Sequence, residues 1–208
     1  MLKLADLQKL WPHGNQHVPG LLEGVAEAAP EAFPKWGFTS DLLIAHAMAQ
    51  FSEECGAGLE MEENMNYSAG RLMQVWPSRF GPSLAAKAAH NPRMVADIAY
   101  GGRMGNRPYP SDDGYNYRGR GFSQVTGREG YAALAEKTGL DVLAHPELLS
   151  DPDHALELGL ADLIICGCLP YMKRDDVVGA TRRLNGGYNG LAERRRWLAL
   201  WKHQLGVK

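Results

Sequence analysis

Two groups of carboxylates stand close together in the first third of the chain. Glu53 and Glu54 lie in Ser52-Glu-Glu-Cys-Gly56, and Glu60, Glu62 and Glu63 follow a Gly-containing turn. Two acids facing each other across a groove are the machinery of glycoside hydrolysis: one protonates the departing oxygen, and the other activates water or attacks the sugar. The first pair falls at the C-terminal end of a helix, where the macrodipole is negative, and each acid repels its neighbour. Both effects favour a carboxyl that keeps its proton, which is what a general acid needs. Glu54 is therefore the candidate acid, and the second cluster offers its counterpart.

The helix that must carry Glu54 opens at Thr39, Ser40 and Asp41, which are good N-cap types. Leu43, Ile44, Ala47, Met48 and Phe51 follow at spacings of three and four, and the pattern stops near Gly56. The last helix, about 191 to 205, has an apolar stripe of Leu191, Leu198, Trp201 and Leu205, and Arg194 falls inside it. A guanidinium turned inward must find a carboxylate or carbonyls, because an unpaired buried charge costs several kcal/mol. The acidic helix end near Glu54 is one candidate partner.

Start and stop signals repeat along the chain, and period-2 alternation is nearly absent, so a mainly α protein is expected. Ser68 caps a short helix ended by Pro77, and Asn91-Pro92 opens one reaching about Tyr100. Thr126-Gly-Arg-Glu129 reads as a capping box for a helix ended by Gly139. Asp151-Pro152 opens another, stopped by Pro170, and a further helix covers about Asp175 to Leu184. Between Gly101 and Gly121 this periodicity lapses into a loop with six Gly, two Pro, three Tyr and four Arg. A long aromatic loop inside a compact chain is a functional loop in expectation.

Composition sets the outer limits. The 208 residues suit one globular unit, 45% are hydrophobic and 22% charged, and Gly with Pro make up about 17%, below a low-complexity level. No apolar run approaches a membrane span, and the first twelve residues do not read as a signal peptide, so neither anchor nor leader is expected. Three cysteines, Cys55, Cys166 and Cys168, and seven scattered histidines make neither a disulfide framework nor a zinc site. A reducing cytoplasm is the expected place of synthesis, with no metal and no cofactor. The formal charge of -2 hides an asymmetry: from Met172 onward nine Lys or Arg face three acids, a net +6, against -8 for the first 171 residues. A basic tail suits a polyanion.

Several ordered blocks resemble glycoside hydrolase family 19, the chitinases and related phage endolysins of the lysozyme-like superfamily. They are Ala49-Gln-Phe-Ser-Glu-Glu54-Cys-Gly56, Glu62-Glu-Asn-Met-Asn-Tyr-Ser-Ala69, Tyr100 to Asn106, Asp113 to Gly121, Gln124-Val-Thr-Gly127, Leu184-Asn-Gly-Gly187 and Asn189 to Arg194. The resemblance spans about 40 to 200, and residues 1–39 are expected as a helical extension packed on a single catalytic domain of 1–208. It implies a lysozyme-like helical fold with a substrate groove, and an inverting mechanism whose two carboxyls stand about 6.5–9.5 Å apart. It implies Glu54 as acid, Glu62 as the second acid with Glu63 as fallback, and Thr126 as the residue holding the attacking water. Gln124 and Asn185 match its sugar-binding amides, and Arg194 matches the arginine that organises the acids. Tyr115, Tyr117 and Arg118 are expected along the groove, although the rings could equally pack the loop. Glu53 stands where the family has His, Cys55 where it has Ser or Thr, Ala57 where it has a second Gly, and Gly130 where many relatives have a sugar-binding Asn.

Within that resemblance the chain reads as a monomeric endolysin cutting the N-acetylmuramic acid to N-acetylglucosamine link of peptidoglycan, with a chitinase as the alternative. Made in a host bacterial cytoplasm, it would reach the wall through a lesion opened by a holin, or by export as an effector. Three rival chemistries are weaker. A Cys55 thiol peptidase lacks a nearby His, zinc hydrolysis lacks clustered ligands, and nucleic-acid binding through Arg194, Arg195 and Arg196 lacks any accompanying motif.

Overall fold

Ser40 accepts a hydrogen bond from the Leu43 amide at 3.3 Å and so starts helix α3, Asp41–Glu54, in the computed structural model, which describes residues 2–207. Every residue of α3 from Leu43 to Ser52 is buried. A helix apolar on all sides belongs at the centre of a molecule, with its partners arranged round it. Those partners are α1 (Leu4–Leu10), α2 (Leu21–Lys35), α9 (Ala155–Ile165) and α12 (Leu191–Leu205), and they share one apolar core with α3.

The end of α3 is pinned by a single hydroxyl. Trp11 and Trp201 each donate an indole N–H to Ser52 Oγ, at 2.8 and 2.9 Å, and that hydroxyl donates to the Met48 carbonyl at 2.7 Å. Both indoles are fully buried, and their rings meet edge to face. The segment before α3 thus braces the helix end that carries the first acid pair, and α1 and α2 pack onto α12 and α9.

Helices α4 (Ala69–Val75), α5 (Pro82–Ala88) and α6 (Pro92–Tyr100) enclose a second, smaller core around Met65, Leu72 and Phe80. The extended stretch 60–67 crosses from one core to the other, with Met61 sunk in the first and Met65 in the second. Glu62 and Glu63 are therefore held in the seam between them. After the one-turn α7 (Asp113–Asn116), a tight turn folds 120 back on 125 through reciprocal backbone bonds of 3.2 and 3.0 Å. That turn pairs with the crossing stretch through Glu63 N–H to Gly119 and Gly121 N–H to Met61, at 2.8 and 2.9 Å. A third core lies around Tyr117, Tyr131 and Leu149 beneath α8 (Arg128–Thr138).

The caps at Ser68 and Asn91 form as the spacing predicts. The capping box does not. Gly127 occupies the cap of α8, and the Thr126 hydroxyl instead donates to the Gln124 carbonyl at 3.1 Å. The free amides at the start of α8 are met by the distant loop, with Arg128 N–H donating to Asn106 Oδ1 (2.8 Å) and Glu129 N–H to the Met104 carbonyl (3.0 Å). Cover from the tertiary structure has replaced the local solution. The helix expected from Asp151 begins at Ala155, because the Asp151 carboxylate spends itself on a turn with Asp153 N–H and the His154 ring. The chain then passes Gly167 and a short α10 (Leu169–Met172) into α11 (Val177–Asn185), capped by the Asp176 carboxylate.

Candidate active site

Glu54 is the last residue of α3, and α12 delivers Arg194 to it. The guanidinium is 2% exposed, donates through Nη2 to Glu54 Oε1 at 2.6 Å and through Nη1 to Gln50 Oε1 at 2.6 Å. Gln50 lies one helical turn before Glu54 on the same face, so a single planar fork grips both. The inward turn of Arg194 follows from its place in the apolar stripe. Glu54 keeps 15% of its side chain exposed, and among the described residues its Oε2 accepts no hydrogen bond. One carboxyl oxygen is thus fixed, and the other is free to meet a ligand.

Glu53 lies beside this pair, tight against the Cα of Gly190, where any side chain at 190 would collide with it. Burial pushes its carboxyl above the ordinary range, the neighbouring Glu193 and Glu54 add to that, and Arg194 and Arg196 oppose it. Cys55 follows, fully buried, with its thiol pushed up to about 12 by burial. Its Sγ donates to the Phe51 carbonyl and accepts from Gly58 N–H. A thiol so held supplies no thiolate, and His46 faces the other way onto Asp175 at 2.8 Å. The thiol-nucleophile reading ends there.

The turn from Cys55 to Glu60 brings the chain back as the crossing stretch. It takes positive φ at Gly56, Ala57 and Gly58, the non-glycine Ala57 at +57°. The two acids of the seam then part company. Glu62 is bound by two guanidiniums, Arg118 Nη2 on Oε2 and Arg120 Nε on Oε1 at 3.1 Å, so both of its oxygens face a fixed positive charge. Glu63 accepts from neutral donors only, the Tyr100 hydroxyl at 2.6 Å and Gly119 N–H at 3.2 Å. Burial, followed by the Glu63 charge, pushes the Tyr100 phenol up, so Tyr100 stays a donor.

Gly119 is the floor on which three candidates meet. A Cβ there would lie 3.0 Å from Gln124 Oε1, 3.3 Å from Thr126 Oγ1 and 3.4 Å from the Glu63 Cβ. Gln124 uses its amide N–H groups on the Glu60 and Gly121 carbonyls, at 2.8 and 3.0 Å, which turns its oxygen toward this floor. An open hollow of about 550 Å³ lies alongside, walled by His17, Glu60, Glu62, Glu63, Tyr67 and Gln124 among others. Glu54 and Arg194 are not among its walls; they approach from α3 and α12.

In the long loop, Tyr115, Tyr117 and Arg118 take the packing alternative to a place along the groove. Tyr117 is 8% exposed, packs on Tyr131 with ring centroids 5.1 Å apart, and donates its hydroxyl to the Leu143 carbonyl at 3.1 Å. It belongs to the third core, because that core needs a ring at the point where the loop re-enters the fold. Arg118 is buried and committed to Glu62 and the Tyr115 carbonyl, and the Tyr115 ring is sandwiched between Arg118 (4.1 Å) and Arg93 (4.6 Å). These groups brace the loop. The ring that does reach the hollow is Tyr67, set edge-on to Trp76. Asn185 ends α11 exposed, beside the loop that Glu53 touches.

Tyr100, Gln50 and Arg120 were not foreseen. Only Gln50 carried a signal, its four-residue spacing from Glu54. Arg194, engaged with Glu54, is withdrawn from any basic surface, and Arg196 pairs with Glu193. Among the described residues no group of three or more His, Cys, Asp or Glu is placed to hold a metal ion.

No protein-family model matches the chain. A Haemophilus influenzae (strain Rd) protein described as glycosyl hydrolase family 19 domain-containing is 33% identical over 196 residues, covering 93% of this chain and 92% of that one. Among solved structures, chitinase C from Streptomyces griseus superposes with a TM-score of 0.63 at 19% identity, over 99% of this chain and 77% of its own. A bacterial family 19 chitinase gives 0.60 at 18%, over 99% and 95%. The class IV chitinase of Zea mays gives 0.54 at 17%, over 92% and 82%. At these identities the structural likeness speaks for the fold.

Proposed function

The chain belongs to glycoside hydrolase family 19, and from that premise we propose that it hydrolyses the β-1,4 link between N-acetylmuramic acid and N-acetylglucosamine in peptidoglycan with inversion. The observation carrying the catalytic half of this reading is the contrast between its acids. Glu54 has one oxygen fixed by Arg194 and the other free, while Glu63 sits among neutral donors beside Thr126.

In this mechanism Glu54 gives its proton to the glycosidic oxygen as the bond to the anomeric carbon breaks. A water attacks that carbon from the opposite face and passes a proton to Glu63. Thr126, whose own proton is directed at the Gln124 carbonyl, accepts a hydrogen bond from that water with a free lone pair. Gln124 Oε1 is an acceptor for a sugar hydroxyl or N-acetyl N–H. Glu62 is the first match from sequence, but Arg118 occupies one of its oxygens and Arg120 the other, so neither is free to orient the attacking water. It serves instead to tie Arg118 and Arg120 beneath the groove.

Peptidoglycan is favoured over chitin by the charge of the last 37 residues, a net +6 from Met172 onward against an anionic wall polymer. The chitinases among the structural neighbours favour the second reading, hydrolysis of β-1,4 N-acetylglucosamine polymers. Among the described residues no helix is long and apolar enough to cross a membrane. In the preferred reading the enzyme meets the wall on its periplasmic side, through a holin-type lesion or by export.

Glu54→Gln and Glu63→Gln should each lower turnover by about 10²–10⁴-fold with an unchanged circular dichroism spectrum. Glu62→Gln should cost less turnover and more stability. Mass spectrometry of products from purified sacculi and from chitin oligomers, side by side, decides the substrate. Glu54→Gln with wild-type release of muropeptides would sink the assignment of the acid.

A further inference from the structure

A second hollow, apart from the one beside Glu62 and Glu63, lies at the basic end of the chain. It measures about 740 Å³ and lies between α10, α11 and the loop 186–190, with Tyr171, Asp176, Arg182, Arg183, Gly186 and Tyr188 in its walls. Its cations are unspent. Among the described residues neither Arg182 nor Arg183 forms an ion pair, so both keep their charge for a ligand in the hollow. Arg183 is anchored by one bond only, Nε–H donating to the Cys166 carbonyl at 2.7 Å, which leaves the two terminal amino groups of its fork without a partner. The single acid in the wall caps α11, Asp176 Oδ1 accepting from Gly179 N–H at 2.8 Å, and the two arginines outnumber it.

The hollow is also shaped. The Tyr171 ring lies in the space that a side chain at 179 would fill, so glycine at that position lets the ring form a flat wall against α11. On the opposite rim Tyr188 stands 56% exposed, the most open large hydrophobic among the described residues. The same loop touches Glu53 through Gly190 at its far end. A group seated in the hollow therefore bears on the loop that reaches the catalytic end of α3.

We propose that this hollow is a carboxylate-binding subsite that receives the acidic peptide stem borne by N-acetylmuramic acid. Paired planar forks recognise carboxylates two hydrogen bonds at a time, and exposed tyrosines flank them with apolar rings. Chitin carries no such substituent. The inference rests on the peptidoglycan reading and extends it, making the preference for peptidoglycan a matter of Arg182 and Arg183 rather than of the acids.

The test has two arms. In the first, kcat/KM is measured on peptidoglycan with its stems and on the same glycan after an amidase has removed them. The ratio of the two should fall about tenfold or more in Arg182→Gln/Arg183→Gln, and partly in Arg182→Gln alone, which leaves the Cys166 anchor in place. In the second, a free D-glutamate-containing tetrapeptide is titrated into the protein by NMR. It should shift the Tyr171, Gly186 and Tyr188 amides, and the shifts should weaken as salt rises. Peptide binding at these amides without any cleavage of peptidoglycan would overturn the proposed reaction and leave the subsite standing. An unchanged ratio together with no shifts at these amides would overturn the subsite while cleavage persists.

Discussion

Arg194 ties the Glu54 carboxyl and the Gln50 amide to one point of the fold, and its value depends on geometry as much as on charge. It is buried, bonded to Glu54 and Gln50 and, at 3.5 Å, directed at the Asn189 carbonyl of the loop before α12. Removing it leaves the Glu54 carboxylate without a counter-charge in a largely buried setting. Arg194→Met should therefore lower stability by about 3 kcal/mol, or roughly 6–12 °C in Tm for a chain of this size. Arg194→Lys keeps the charge and loses the fork, so it should restore most of the stability and little of the turnover. Differential scanning calorimetry beside a lysis assay separates the two, and equal recovery of both would show that charge alone suffices. At this scale also belongs the contrast between Glu62 and Glu63: adjacent residues of one type, one faced by guanidiniums and the other by neutral hydroxyl and amide donors.

Among the elements, α8 shows how a loop can be both a wall and a cap. The stretch 101–106 supplies Asn106 Oδ1 and the Met104 carbonyl to the first turn of α8, while its start is fastened to α6. Just beyond, Arg107 binds Asp113 through its backbone N–H and, side-on, through Nε and Nη2 of its guanidinium. That ion pair holds the Asp113 carboxyl below the usual range. Asn106→Ala should cost about 1 kcal/mol, in keeping with the loss of an N-cap acceptor. The loss should show as a lower urea midpoint with little change in m value. Should Thr126→Ala destabilise α8 more than Asn106→Ala does, the local box would be the true cap after all.

For the molecule as a whole, the pH dependence of stability is set by buried groups of opposite sign. Burial pushes Asp162 up to about 6 from an ordinary 3.8, and the Glu54 charge adds to that. A carboxyl raised in this way penalises the fold wherever it must be ionised, above pH 6, and the penalty fades as pH falls from 6 toward 4. Asp162→Asn should then stabilise the protein at pH 7.5 by about 2 kcal/mol, with the gain shrinking below pH 6 and gone near pH 4. His46 works the other way. Burial lowers it from 6.5 despite its bond to Asp175. The unfolded chain therefore takes up protons first, and stability is lost as pH falls below 6.5. The wild-type profile should be flatter through pH 5–7 than that of Asp162→Asn, a comparison that thermal melts at several pH values make directly.

Spacing alone carried several helix starts, because an amphipathic stripe and a serine or asparagine cap are written within a few consecutive residues: Ser40 before α3, Ser68 before α4, Asn91 before α6. It also carried the inward turn of Arg194 toward Glu54, since a charge placed in an apolar stripe has nowhere else to go. What it could not carry was any choice settled by residues far apart in the chain. Glu62 and Glu63 are indistinguishable until Arg118, Arg120 and Tyr100 arrive from more than thirty residues away. Tyr117 reads as a groove ring until the third core claims it, and Thr126 reads as a cap until Asn106 takes that place. Local hydrogen bonds and periodicity are properties of a segment; burial and the partners that face a side chain come into being only when segments pack, and these are what separate Glu62 from Glu63.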